Sequence, residues 1–101
     1  MTHFSNTLRK YSNPRQAQRM TQRYLGKKAK IYPSNTLHKK YKIFDPHRQL
    51  WVHFGQLGYD DFTKHKDKKR RKNYLTRSKY IRGNWQHNKY SPNNLSRHIL
   101  W

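Results

Sequence analysis

Two groups of cations with no acids to answer them are the residues in this sequence best placed to do chemistry. Arg15, Arg19 and Arg23 recur at i, i+4 and i+8, a spacing that on a helix aligns three guanidinium forks along one face, and Lys27, Lys28 and Lys30 extend the charge beyond it. The second group is the run Lys68-Lys69-Arg70-Arg71-Lys72. Guanidinium groups take phosphate or carboxylate in paired hydrogen bonds, and lysines add point charge, so both groups point to a polyanion, either nucleic acid or an acidic protein surface. An ordinary charged surface intersperses both signs. Here 101 residues carry 24 Lys and Arg against four Asp and no Glu, a formal charge of +20. Self-repulsion on this scale favours association with something negative.

A second chemistry is raised by seven His alongside Asp60, Asp61 and Asp67: a divalent ion held against a phosphodiester by His53 at a strand end and by His65 and Asp67 ahead of a helix. The spacing argues against it. No two His share one helical face, the carboxylates are few, and Asp67 is better placed as a helix cap. His53 and His65 then serve in structural hydrogen bonds, and His3, His38, His47, His87 and His98 are surface polar groups. No Gly-rich phosphate loop and no Ser-His-Asp or Cys-His set can be assembled, and the absence of Cys removes disulfides and thiolate metal sites. Neither a catalytic residue nor a metal or other cofactor is expected.

Leu, Ile, Val and Phe supply only 17 residues, a proportion that with this charge approaches disorder. Eight Tyr, four Phe and three Trp oppose that, because each ring buries a large area with few rotatable bonds. The longest apolar runs, Leu50-Trp51-Val52 and Ile99-Leu100-Trp101, are too short for a signal segment or a membrane span, so neither is expected.

Several elements must position the cations. Residues 1–12 show no period and carry scattered anchors at Phe4, Leu8 and Tyr11. Asn13 as N-cap, Pro14 at the first helical position and Gly26 as a stop predict a helix over 14–25, with Ala17, Met20 and Tyr24 opposite the arginines. Residues 31–40, with Pro33, Ser34 and Asn35, read as a linker. Tyr41–Phe44 and Leu50–Phe54, separated by the Asp45-Pro46 turn signal, predict a β-hairpin with Leu50, Val52 and Phe54 on its inner face. Asp67 then caps a helix over 68–82 ending at Gly83, whose inner stripe is Tyr74, Leu75, Ser78 and Ile81 and whose outer stripe is Lys69, Lys72, Thr76 and Lys79. Ser91-Pro92 opens a short last helix.

The expected architecture is α+β: a small β-hairpin packed on a basic helix in a domain over 41–101, preceded by a helix-bearing cationic arm over 1–40 and followed by a short C-terminal helix. Tyr41, Phe44, Trp51, Phe54, Phe62 and Tyr74 are expected in the core. Tyr11, Tyr32, Leu100 and Trp101 are expected to anchor a partner, with Tyr80 and Tyr90 as further candidates for partner contact.

From Tyr41 onward the sequence resembles a family of small basic proteins, without an assigned biochemical activity, from nucleocytoplasmic large DNA viruses. The resemblance rests on Val52-His53-Phe54-Gly55, Gly58-Tyr59-Asp60-Asp61-Phe62-Thr63, His65-Lys66-Asp67, Lys69-Arg70-Arg71, Tyr74, Arg77, Trp85, Leu95-Ser96-Arg97 and Leu100-Trp101. It covers about the last three-fifths of the chain and implies a viral protein, carried in the particle, with no catalytic residues to transfer. The leading expectation is therefore a non-enzymatic virion structural protein, a minor capsid or cementing component. Its arm and apolar tail would bridge larger subunits, and it would reside in the virion and, during assembly, in the host cell. The alternative is a viral DNA-binding or condensing protein that grips phosphates without reading bases, and the metal-dependent nuclease ranks last.

Overall fold

The computed structural model describes residues 4–101; His3 lies outside the described residues. Ser5 accepts a hydrogen bond from the Leu8 N–H and opens α1, Asn6–Arg9, a single turn that drives Leu8 into the core. α2, Pro14–Leu25, starts where the caps require, with the Asn13 side chain accepting from Gln16 N, and ends at Gly26, whose positive φ of +111° with an extended ψ suits glycine. Pro14, Ala17 and Thr21 are its buried face, and the Thr21 hydroxyl is satisfied by donating to Ala17 O at 2.8 Å. Arg15, Arg19 and Arg23 are exposed on the other side.

The sheet has three antiparallel strands in the order β1 (Tyr32–Pro33), β2 (Lys39–Asp45) and β3 (Leu50–Gln56). Tyr41 pairs with Phe54 and Ile43 with Val52, and these four point inward. Strict alternation then sends Phe44 and its partner Trp51 to the other face, where they are 38% and 46% exposed, which corrects their expected place in the core. Leu50, at the hairpin end, is also largely exposed and leaves the inner face to Val52 and Phe54. The turn is held by Asp45, whose carboxylate accepts from the N–H groups of His47 and Arg48 and from Arg48 Nε at 2.8 Å. Burial alone would raise that carboxyl, but these donors outweigh it and hold it below the usual range.

α3, Phe62–His65, leads to α4, Lys68–Ser78, which Asp67 caps by accepting from Lys69 N and Arg70 N. α4 stops four residues short of the expected Arg82. Arg97 donates to Leu75 O and Ser78 Oγ, and Asn93 donates to Ser78 O, so groups from the C-terminal segment close the helix end. Ile81, expected on the inner stripe, is 53% exposed. After a 3₁₀ turn at Trp85–His87, α5, Pro92–Leu95, begins under a Ser91 cap and runs on as a π-helical turn, Ser96–Leu100.

Leu95, Ile99 and Leu100 fill the space between α2 and the inner face of the sheet. The hairpin therefore packs on the C-terminal helix, with the basic helix α4 to one side. Gly55, at φ +78°, is required at this crossing, because a Cβ there would lie 2.8 Å from Leu100 Cδ1 and 3.2 Å from Lys40 Cβ. The boundary expected at 31–40 also moves. β1 lies inside that segment and pairs with β2, and Leu8, Ala17 and Ile31 share one core with Tyr41, Ile43, Val52, Phe54 and the C-terminal helix. Residues 4–40 are thus part of one α+β body. No helix among the described residues is long and apolar enough to cross a membrane.

Candidate anion-binding cleft

A buried polar chain joins three distant segments of sequence. The Tyr41 hydroxyl donates to Ser12 Oγ at 2.6 Å, and Ser12 lies 3.1 Å from Thr63 Oγ1, which donates to the Asp61 carboxylate. The other Asp61 oxygen meets Lys40 Nζ at 3.0 Å in an ion pair sealed from solvent, and Lys40 also donates to Tyr59 O at 2.6 Å. The main chain reinforces the junction through Asp61 N to Tyr11 O and Asn13 N to Thr63 Oγ1. Burial pulls the Lys40 ammonium below its ordinary value while Asp61 draws it back up, and burial pushes the Tyr41 phenol far up. The chain fixes Lys40 and the Tyr59–Asp61 loop, which together form one side of an open cleft.

That cleft has a volume of about 670 Å³. Lys39, Lys40 and Gln56 from the strand ends and Tyr59 and Asp60 from the loop line one side, and Asn93, Ser96 and Trp101 close the end. α4 supplies Arg70, Asn73, Tyr74 and Arg77, which at i, i+3, i+4 and i+7 form a single helical face. Three exposed cations, Lys39, Arg70 and Arg77, thus face a space with one carboxylate, Asp60, on its lining. The Tyr74 ring stacks on Trp101 at 4.2 Å between centroids, and the Tyr59 ring stands largely exposed. Arg71 braces this wall from behind, with its guanidinium 5.3 Å from the Phe62 ring and its Nε donating to Trp101 O. Exposed guanidinium groups on one helical face, beside neutral amides and an exposed phenol, suit oxyanions such as phosphate.

The structure distributes the sequence-derived site residues unevenly. Of the run Lys68–Lys72, only Arg70 faces the cleft; Lys68, Lys69 and Lys72 point to solvent elsewhere on α4 and Arg71 is the brace. Arg15, Arg19, Arg23, Lys27 and Lys28 are exposed, and none lines the cleft. Tyr11 and Tyr32 are half-buried. Leu100, expected to anchor a partner, is 1% exposed within the molecule's own core, and Trp101 is held against Tyr74. The apolar residues of the C-terminal segment are consumed by the fold because α2 and the sheet need them to close over. The sequence reading assigns no binding role to Lys39, Lys40, Tyr59 or Arg77, although Tyr59 and Arg77 carry part of the resemblance. Arg77 was legible as i+7 from Arg70, whereas Lys39 and Lys40 were hidden in a supposed linker.

The His and Asp residues weighed for metal do not converge. His53 Nδ1 lies 2.7 Å from Ser34 Oγ, His65 Nδ1 accepts from Asp67 N, and Asp67 caps α4. Among the described residues no three His, Asp or Glu groups come together to hold an ion. The other His65 nitrogen, Nε2, is buried without a hydrogen-bond partner among the described residues.

His65 has a consequence for stability. Burial pulls its imidazole below the ordinary 6.5 and Arg70 adds to this, against weaker opposition from Asp67, Asp60 and Asp61. His98, stacked on Tyr24, is lowered in the same sense by burial and then by Arg97 and Lys89. The unfolded chain therefore takes up protons first, and stability falls as the pH drops below 6.5. Thermal melts from roughly pH 7 to pH 5 should show a falling midpoint, and His65→Gln, which keeps an acceptor but cannot titrate there, should flatten part of that fall. An identical slope in the variant would exclude His65 as a source.

Residues 29–78 match a family of unknown function (DUF5754). The matched span, just under half of the chain, runs from before β1 to the end of α4. It contains Lys39, Lys40, Asp61, Arg70 and Arg77 but not the Asn93–Trp101 wall. No curated protein and no solved structure matches the chain.

Proposed function

We propose that this is a non-enzymatic nucleic-acid-binding protein of a large DNA virus that holds phosphates without reading bases. The supporting observation is how the carboxylates are used. Asp61 is spent on Lys40, Asp45 on Arg48 and its turn, and Asp67 on the α4 cap. Asp60 alone is left among the exposed cations of the cleft, and none of the four carboxylates is paired with the α2 row, so a polyphosphate supplies what is missing while releasing its own counterions. The chain's own packing also favours this function over bridging by arm and tail, since both are occupied in the core. Titration of the whole chain with short duplexes of unrelated sequence is the test. Equal affinities that weaken together as salt rises are expected, and a marked preference for one sequence, or no binding, would refute the proposal.

A second reading, a minor capsid or cementing component of the virion made in the host cell, is favoured by one feature. The Arg15–Arg19–Arg23 row is a cationic surface additional to the cleft. Two such surfaces allow one molecule to bridge two partners, nucleic acid at one and an acidic capsid protein at the other.

A further inference from the structure

The outward face of the sheet carries a second unassigned surface. Tyr32 of β1 lies opposite Lys42 of β2, Lys42 opposite His53 of β3, and Phe44 opposite Trp51, so these five side chains occupy one face in two adjoining rows. Trp51 meets Tyr32 at 5.6 Å and Phe44 at 5.5 Å, both edge to face. Lys42 Nζ stands over one face of the Trp51 ring, 5.0 Å from its centroid, and Lys30 Nζ over one face of the Tyr32 ring at 5.3 Å, so a phosphate that draws either ammonium aside frees that face. The acid of β2, Asp45, points to the interior, so cations border the rings on this face without a strand carboxylate beside them.

We propose that this aromatic face is a platform for single-stranded nucleic acid, on which unpaired bases stack while Lys30 and Lys42 take the flanking phosphates. The inference rests on the nucleic-acid function above and adds the strand state to it. Charge complementarity selects the occupant. An apolar protein surface would cover the rings but bury two ammonium groups without acids, whereas a single strand offers planar bases and phosphates at alternating positions. A duplex has its bases stacked inside and can engage only the cations. The rings lie on adjacent strands at fixed spacing, so no loop has to be ordered before they can receive bases.

The test compares one mixed-sequence DNA as a single strand and as its duplex, followed by anisotropy and tryptophan fluorescence, for the wild-type chain, Trp51→Ala and Phe44→Ala. Both residues are exposed and outside the core, and circular dichroism checks that the variants fold. Single-strand affinity should fall by about tenfold in each variant, with duplex affinity little changed, and the wild-type fluorescence change should shrink when Trp51 is removed. Binding of both forms with no effect of either substitution would overturn the platform and leave the nucleic-acid function standing. Binding of neither form would remove both. Concentration-dependent self-association abolished by Trp51→Ala, without a change in strand affinity, would show a protein interface instead.

Discussion

Replacing Asp61 with alanine is expected to cost about 3–5 kcal/mol, because it leaves the Lys40 charge buried without its partner. That is a large part of the roughly 5–15 kcal/mol that holds a domain of this size together. The position is more sensitive than the Asp45–Arg48 pair, whose arginine is half exposed and can turn to water, whereas both side chains of the Lys40–Asp61 pair are sealed. Asp61 is also the terminal acceptor of the Tyr41–Ser12–Thr63 hydroxyl chain, so its loss leaves the Thr63 hydroxyl proton without its acceptor and loosens the contact between residues 11–13 and the sheet. Urea denaturation would read the loss as a lower midpoint. The deficit should shrink as the pH approaches the ordinary lysine value of 10.5, since a neutral Lys40 is cheaper to bury alone. The double change Lys40→Met with Asp61→Leu, which removes both charges while keeping apolar volume, should recover most of the stability. An Asp61→Ala protein as stable as the wild type would mean that the pair does not organise this part of the fold.

The second large effect is expected at the cleft. Arg70→Ala combined with Arg77→Ala should weaken duplex binding by about two orders of magnitude at moderate salt and reduce the slope of log affinity against log salt by roughly two. Neither guanidinium is needed for folding in the way Arg71 and Arg97 are. Arg71 braces Trp101 and Arg97 closes the end of α4, while Arg70 and Arg77 face open space. Lys69→Ala with Lys72→Ala, on α4 but off the cleft, is the matched control and should cost much less. If the two pairs weakened binding equally, net charge alone would account for the affinity and the cleft would have no special part in it.

What could be read in the sequence follows from how far each determinant lies from the element it controls. Asn13-Pro14, Asp67 and Ser91-Pro92 specify helix starts within three residues, and all three caps form as their side chains dictate. The hairpin was legible from its two aromatic and β-branched runs around Asp45-Pro46. Its faces were legible too, through the alternation of Tyr41, Ile43, Val52 and Phe54, but aromatic content pulled Phe44 and Trp51 into the expected core against that alternation. The end of α4 was not legible, because Arg97 and Asn93 set it from another segment. Leu8 and Ile31, isolated among polar neighbours, carried no periodic signal, so the first forty residues looked like an arm. The same distance hid the cleft. Lys39, Arg70 and Arg77 become neighbours only after Asp61, 21 residues beyond Lys40, pins the loop in place.

On the proposed function, phosphate from outside answers the unbalanced charge of this protein. The most direct measurement is the duplex affinity of the intact chain as a function of salt. If about six phosphates are engaged, log affinity falls linearly with log salt at a slope of roughly −5. A slope near zero, or no detectable binding at low ionic strength, would contradict it.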